Sequence, residues 1–281
     1  MHQDSITIEI RDEYGNVRQK TENRGHCELV WYGSYEPGDH IIVKAFPSSF
    51  VRIQIDQKLP PAEVYIKKGC FDFPVPFGCA KEAYPEEAFT GVYHQLSAYY
   101  PGENRGFRLL SENPLDIREE DTSHLSQDSP VPFFECENEV YPHCTASVET
   151  RKESVFAARN TIDGMIITEG HGHYPFTSWG NANDPDSHID LWFGRSVCVE
   201  EIHLFLRTDF PHDNHWKEVT LFFDDGHEIP IALEKTGACQ SVILPSPRVT
   251  SYIRLGKLKK DENNPSPFAS LVQWRVFGRE V

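Results

Sequence analysis

Apolar residues in this chain recur at every second position in short runs, and glycine and proline cut each run off before a helix could form. Ser5 to Arg11 (SITIEIR), His40 to Phe46 (HIIVKAF), Phe50 to Gln57 (FVRIQIDQ) and Glu63 to Lys67 (EVYIK) all alternate, which predicts half-buried strands. Between them, Tyr14-Gly15-Asn16, Pro37-Gly38-Asp39 and Leu59-Pro60-Pro61 leave room for hairpins and short loops only. The second half repeats the pattern at Ser187 to Phe193, Val197 to Thr208, Glu218 to Phe223, Glu228 to Leu233, Gln240 to Leu244, Ser251 to Leu258 and Ser270 to Phe277. Asp224-Asp225-Gly226-His227 places Asp-Gly between two of these runs, a strong hairpin signal. No long amphipathic helix is legible, so the predicted class is all-β, with antiparallel sheets packed as sandwiches.

The alternation fails from Ser111 to about Tyr141, where the chain is polar, acidic and punctuated by proline. Read as a linker over about 111–140, this stretch divides the 281 residues into domains 1–135 and 136–281. A structureless loop that long inside one domain is unusual, so Leu115, Ile117, Phe133 and Phe134 are expected to hold it against the domain surfaces. The 43 acidic and 27 basic residues give a formal net charge of −16, which repels phosphate backbones and anionic lipid and argues against a nucleic-acid or membrane partner. No run approaches the ~18 apolar residues of a spanning helix. The start MHQDSITIEI has no basic region followed by an apolar one, so no secretory signal is read and a cytoplasmic location is expected. A mature exported protein whose signal has been removed is the alternative. The seven cysteines form no CxxC pair and are odd in number, which suggests reduced, buried thiols.

The order of landmarks in the second half resembles the discoidin, or coagulation factor V/VIII type C, domain and the related bacterial galactose-binding-like carbohydrate-binding modules. Matching stretches are Ala157 to Gly164 (AARNTIDG), the Trp179 region (FTSWG), Ile189 to Gly194 (IDLWFG), Val199 to Leu206 (VEEIHLFL), Val219 to Gly226 (VTLFFDDG) and Leu271 to Gly278 (LVQWRVFG). Arg207 to Trp216 (RTDFPHDNHW) looks like a subgroup of these modules. The first half carries a fainter echo of the same jelly-roll architecture in YEPGDHIIVKAFPSSFVRIQIDQKLPPAEVYI. The resemblance implies two tandem galactose-binding-like sandwiches, a carbohydrate ligand at loops on one end of the second, and no catalysis.

Arg207, Asp209, His212, Asp213 and Trp216 follow the apolar run EIHLFL in a segment broken by Phe210-Pro211, so they are expected on a loop. Carboxylates accept from vicinal hydroxyls, Arg207 donates in a rigid fork, and an aromatic face covers the apolar side of a sugar ring. The competing reading is a salt-bridged loop with Trp216 capping the core. His171, His173 and Tyr174 precede Trp179 in a second loop, which the resemblance puts at the same end; Tyr174 is the stacking candidate and Trp179 a core residue. His171, His173, His212 and His215 also invite zinc, but thirteen histidines make such spacings cheap and neither HExxH nor CxxC accompanies them. Relatives hold a structural calcium near Asp163 and Thr168. Calcium wants six to eight oxygens, and Met165-Ile166 and Gln273 depart from the family's pattern, so a turn tied by the Asp163 side chain competes with that reading.

No GxSxG, Walker loop or Rossmann fingerprint is present, and Glu86-Glu87, Glu119-Glu120 and Asp224-Asp225 read as solvated surface. The leading expectation is a non-catalytic carbohydrate-binding protein, with avidity from its tandem domains or a homo-oligomer. Its alternatives are a sugar-active hydrolase with a site at the domain interface, and a protein-interaction module using Trp31, Tyr32, Tyr99 and Tyr100.

Overall fold

The structure, a computed structural model, describes residues 5–102, 104, 106–117, 138–168, 170–172, 174–209 and 211–281. In chain order the strands are β1 (Ser5–Arg11), β2 (Val17–Arg24), β3 (His26–Tyr32), β4 (His40–Lys44), β5 (Ser49–Gln54), β6 (Ala62–Ile66), β7 (Cys70–Pro74), β8 (Tyr93–Tyr99), β9 (Arg108–Leu109), β10 (Val140–Tyr141), β11 (His143–Ala146), β12 (Trp179–Gly180), β13 (Ile189–Arg207), β14 (Trp216–Phe223), β15 (Glu228–Ala232), β16 (Gln240–Lys260) and β17 (Ser270–Glu280). They fall in two compact units, Met1–Glu103 with Ile117–Tyr141, and Asn104–Asp116 with Pro142–Val281. The fold is all-β, and its strands pair antiparallel.

In the first unit one sheet runs β2-β1-β4-β7 and the other β10-β6-β5-β8-β3. Alternation built β3 outright: Cys27, Leu29 and Trp31 point into the core and His26, Glu28, Val30 and Tyr32 point out. Trp31 is therefore core, not an exposed docking residue, whereas Tyr32 is 79% exposed. Tyr99 packs against His26 and the Tyr100 hydroxyl is bonded to the backbone of Phe46 and Ser5. Strand β2 (VRQKTENR) has no apolar alternation and is nearly all exposed. It is a strand because it pairs along the whole of β1, from Ser5↔Arg24 to Arg11↔Val17. Cys70 is disulfide-bonded, which corrects the reduced-thiol expectation there; Cys27, Cys144, Cys198 and Cys239 are unbridged thiols.

The second unit is a sandwich whose two layers share strands. The sequence runs at 187–193 and 197–208 form one strand, β13, of 19 residues, and those at 240–244 and 251–258 form one strand, β16, of 21. The β13 ladder shifts between Trp192 and Val197. Before that break β13 lies between β11 and the 252–255 stretch of β16; after it, β13 lies between β17 and the 240–250 stretch. Trp179, Trp216 and Trp274, all fully buried, sit in the core among Ile189, Leu204, Leu221 and Ile253. The hairpin at 224–227 forms as its Asp-Gly pair predicts: Phe223 N–H donates to His227 O at 3.1 Å, and Gly226 takes φ 79°.

Gly278 of β17 lies so close to β13 that a Cβ would stand 2.0 Å from the Cys198 carbonyl oxygen. Because that neighbour is backbone, it cannot step aside. Gly278→Ala should destabilise the protein by about 1–3 kcal/mol. A urea midpoint equal to that of the unsubstituted chain would contradict it.

The expected linker begins inside the second unit's fold. β9 pairs with β17, and Ser111, Asn113, Leu115 and Asp116 are buried. Asn113 N–H donates to Ile162 O at 2.7 Å, and the Asp116 carboxylate accepts Cys144 N–H at 2.8 Å and bonds His143 Nδ1 at 2.7 Å. Leu115 is buried as expected, and the polar Asn113 and Asp116 are buried with their groups hydrogen-bonded. Phe133 and Phe134, with the rest of 118–137, lie outside the described residues.

Candidate functional site

At the loops around the end of β13, five segments enclose a shallow cleft of about 90 Å³: Thr150, Arg151 and Phe156; His171; Gly180 to Asn183; Pro211-His212; and, facing it, Pro267 to Ser270. His212 is its polar centre. The ring is 6% exposed, Nδ1 meets Ser270 Oγ at 3.1 Å, and Nε2 has no partner among the described residues. Phe156, His171 and Phe268 surround it, with ring centroids 5.8 to 6.0 Å away. Phe268 is 44% exposed and stands as an aromatic rim.

The rim is conformationally unusual. Arg151, Lys152, Ala182 and Asn183 all have φ between 50° and 63°, the left-handed region that non-glycine residues avoid. Thr150 ties two of the segments together. Its Oγ1 accepts Ala182 N–H at 3.0 Å, and a Cβ on Gly180 would come within 2.6 Å of that oxygen, so only glycine fits there. Strained backbone of this kind, costing of order 1–3 kcal/mol per residue, concentrates at functional sites.

Beneath the cleft the Arg207 side chain is fully buried. Nε and Nη2 grip the Asp209 carboxylate at 2.9 and 3.1 Å, Nη1 donates to Phe176 O at 2.7 Å, and Nη2 also reaches Gly170 O. The guanidinium thus fastens the 170–176 loop to the end of β13. Burial works against ionisation of Asp209, but the hydrogen bond and charge of Arg207 overcome it and hold that carboxyl below the usual range. Burial, reinforced by the nearby Arg207 charge, pushes His212 down to about 4. At neutral pH His212 is therefore an uncharged imidazole with one donor and one acceptor nitrogen.

Of the residues singled out in the sequence, His171 and His212 line the cleft. Arg207 and Asp209 are engaged with each other outside its lining: four bonds from the Arg207 fork go to protein oxygens, while the Asp209 side chain is 32% exposed. Trp216 is fully buried and 5.7 Å from the Trp179 ring, so it is core and offers no stacking face. Asp213 is half-buried outside the lining, its carbonyl accepting from Asn264. Tyr174 is also half-buried and outside the lining. His173 lies outside the described residues. His215 is buried and absent from the lining; no group of three or more metal-ligating side chains occurs among the described residues.

Asp163 and Thr168 are each held by hydrogen bonds to other residues. Asp163 accepts Met165 N–H at 2.8 Å and the Thr177 hydroxyl at 3.4 Å, whereas Thr168 donates to Asp209 at 3.4 Å. Asp163 thus ties its turn through the Met165 N–H. Burial drives the Asp163 carboxyl up to about 7, against the pull of the Met165 N–H and Arg159.

Thr150, Arg151, Phe156, Asn181, Asn183, Phe268 and Ser270 were missed in the sequence. Gly180-Asn181-Ala182-Asn183 carried a usable signal, since asparagine tolerates left-handed backbone, and Phe268 stands in a Pro-Ser-Pro-Phe segment where no core strand runs.

No family model and no curated protein matches the chain. Solved structures match about half of it. A family 32 carbohydrate-binding module of C. perfringens NanJ, solved with galactose, is 18% identical over 48% of this chain and 91% of its own, with a TM-score of 0.37. The family 32 module of Streptococcus pneumoniae EndoD is 14% identical over 48% and 96%, with a TM-score of 0.38. Discoidin II of Dictyostelium discoideum is 14% identical over 49% and 55%, with a TM-score of 0.38. They are the kinds of domain that the landmarks in the second half resemble.

Proposed function

We propose that the C-terminal unit binds carbohydrate in the cleft around His212. The observation that carries this reading is the buried, unpartnered Nε2 of a neutral imidazole in a cleft edged by Phe268 and Phe156. A buried nitrogen without a partner costs about 1–3 kcal/mol, and a ligand hydroxyl supplies that partner whichever tautomer is present. The exposed Phe268 ring offers the apolar face that the C–H side of a sugar needs. Solved modules of this kind include one bound to galactose, which makes galactosides sensible first ligands. A shallow site of this sort binds in the micromolar to millimolar range, about −8 to −4 kcal/mol.

Among the described residues the lining has no carboxylate, so it offers no acid/base pair for hydrolysis, which favours recognition over catalysis. A glycan-array screen of the purified chain identifies ligands, and titration calorimetry of the best one tests the site. Phe268→Ala and His212→Ala should each weaken binding at least tenfold. Phe268 is exposed, so its variant should unfold as the unsubstituted protein does. Undiminished affinity in both variants would remove the cleft as the site.

A further inference from the structure

The cleft has the opposite charge character to the chain. Acidic residues outnumber basic ones 43 to 27, yet the ionisable residues described in the lining are Arg151, His171 and His212. Two more cations back it: Arg207 below, and Lys260, whose Nζ is bonded to Asn183 Oδ1 on the rim. The carboxylate of Asp209 is engaged bidentately by Arg207.

Arg151 is the cation placed to meet a ligand. Its Nε and Nη2 bond the two oxygens of Glu153 at 2.6 and 2.8 Å, and its guanidinium carbon lies 5.2 Å from the centre of the Phe156 ring. This arrangement orders the fork and uses two of its five N–H donors, and among the described residues the Nη1 edge keeps its own. The side chain is 58% exposed at the cleft mouth. Glu153 cancels part of its charge without occupying that edge. An anionic group on a sugar adds charge-assisted hydrogen bonds there, and the local field draws it in against the repulsion of the rest of the surface.

We propose, resting on the reading of this cleft as a sugar site, that it selects glycans bearing an anionic group, a uronate carboxylate or a sulfate ester, over their neutral counterparts, with Arg151 as the specificity-determining residue. The probes are methyl galactoside, methyl galacturonoside and methyl galactoside 6-sulfate, which share a ring and differ at carbon 6. Each is titrated by NMR into the unsubstituted protein and Arg151→Gln, at low and at 300 mM salt. The expected result is that a charged glycoside binds about five- to tenfold tighter than the neutral one at low salt. This advantage, read as the ratio of charged to neutral affinity, should shrink at high salt and disappear in Arg151→Gln. Which charged probe wins identifies carboxylate or sulfate as the recognised group. Equal binding of all three, or a charge preference that survives Arg151→Gln, overturns the proposal; neutral binding that Phe268→Ala abolishes would then leave the sugar site standing. If no glycoside in a broad screen binds, the sugar-site reading fails and this inference fails with it.

Discussion

Replacing Arg207 with methionine should lower the stability of the protein by about 3–5 kcal/mol, toward the lower figure because Asp209 is partly solvated. The side chain is fully buried and Asp209 is 32% exposed. Methionine fills the space but leaves the carbonyls of Phe176 and Gly170 without their donor and the carboxylate without its cation. Arg207→Lys keeps the charge but cannot reproduce a planar fork that reaches three groups, so its loss should be smaller yet substantial. Asp209→Asn keeps both carbonyl contacts and should cost least. Four of the five tryptophans, Trp179, Trp192, Trp216 and Trp274, belong to the C-terminal unit, so fluorescence during urea unfolding follows it well. A loss below 1 kcal/mol for the methionine variant would mean that the loop has another anchor. Sugar affinity should fall as well, although Arg207 does not line the cleft, because His171 rides on the loop that it fastens.

The second large effect is in the pH dependence of stability, and it is hidden by a cancellation. Burial raises the Asp163 carboxyl from 3.8 to about 7. The folded state therefore favours its protonated form, and that contribution is complete below about pH 4 and lost as pH rises through 7. His212 is the reverse case. Burial lowers it from 6.5 to about 4, so its contribution is complete above pH 6.5 and lost as pH falls through 4. Each group changes stability by at most about 1.4 kcal/mol per pH unit, and between about pH 4 and 6.5 the two slopes oppose each other.

Relative to the unsubstituted protein, Asp163→Asn should become progressively more stable from pH 4 to 7, by a total on the order of 3 kcal/mol. His212→Gln should become relatively more stable as pH falls from 6.5 to 4. Urea midpoints at four pH values across this range measure both. A constant difference between Asp163→Asn and the unsubstituted protein would show that Asp163 titrates normally in the folded state.

Strands were legible wherever buried and more exposed positions alternate, as in β5, β6 and β15. Pairing alone made β2, which has no pattern of its own, and polarity disguised Asn113 to Asp116 because hydrogen bonding can bury a polar segment as firmly as apolar packing buries a hydrophobic one. At the cleft, the sequence singled out the two loops that bring His171 and His212 together, but not the other residues of its lining. Arg207 ends a strand segment, Leu204 to Arg207, that is buried at every position, so alternation could not say which way it points. Trp216 opens β14 and turns inward, which its place in a polar loop sequence concealed. Arg151, Ala182 and Asn183 owe their positions to backbone torsion, which residue type signals only faintly.

The sharing of β13 and β16 between the two layers bears on how the C-terminal unit would answer a ligand in the proposed cleft. Two separate sheets can slide or part like the covers of a book, but here the same peptide bonds run through both covers, so shear between them strains covalent chain as well as side-chain contacts. The cleft is built on loops at the end of β13, and the rest of that strand crosses the sandwich. Occupancy of the cleft is therefore not a local event confined to a flexible tip. Even a weak ligand, present well above its dissociation constant, acts as a clamp on the whole unit, stabilising it by RT ln(1 + [L]/Kd) and slowing the rare openings through which proteases gain access.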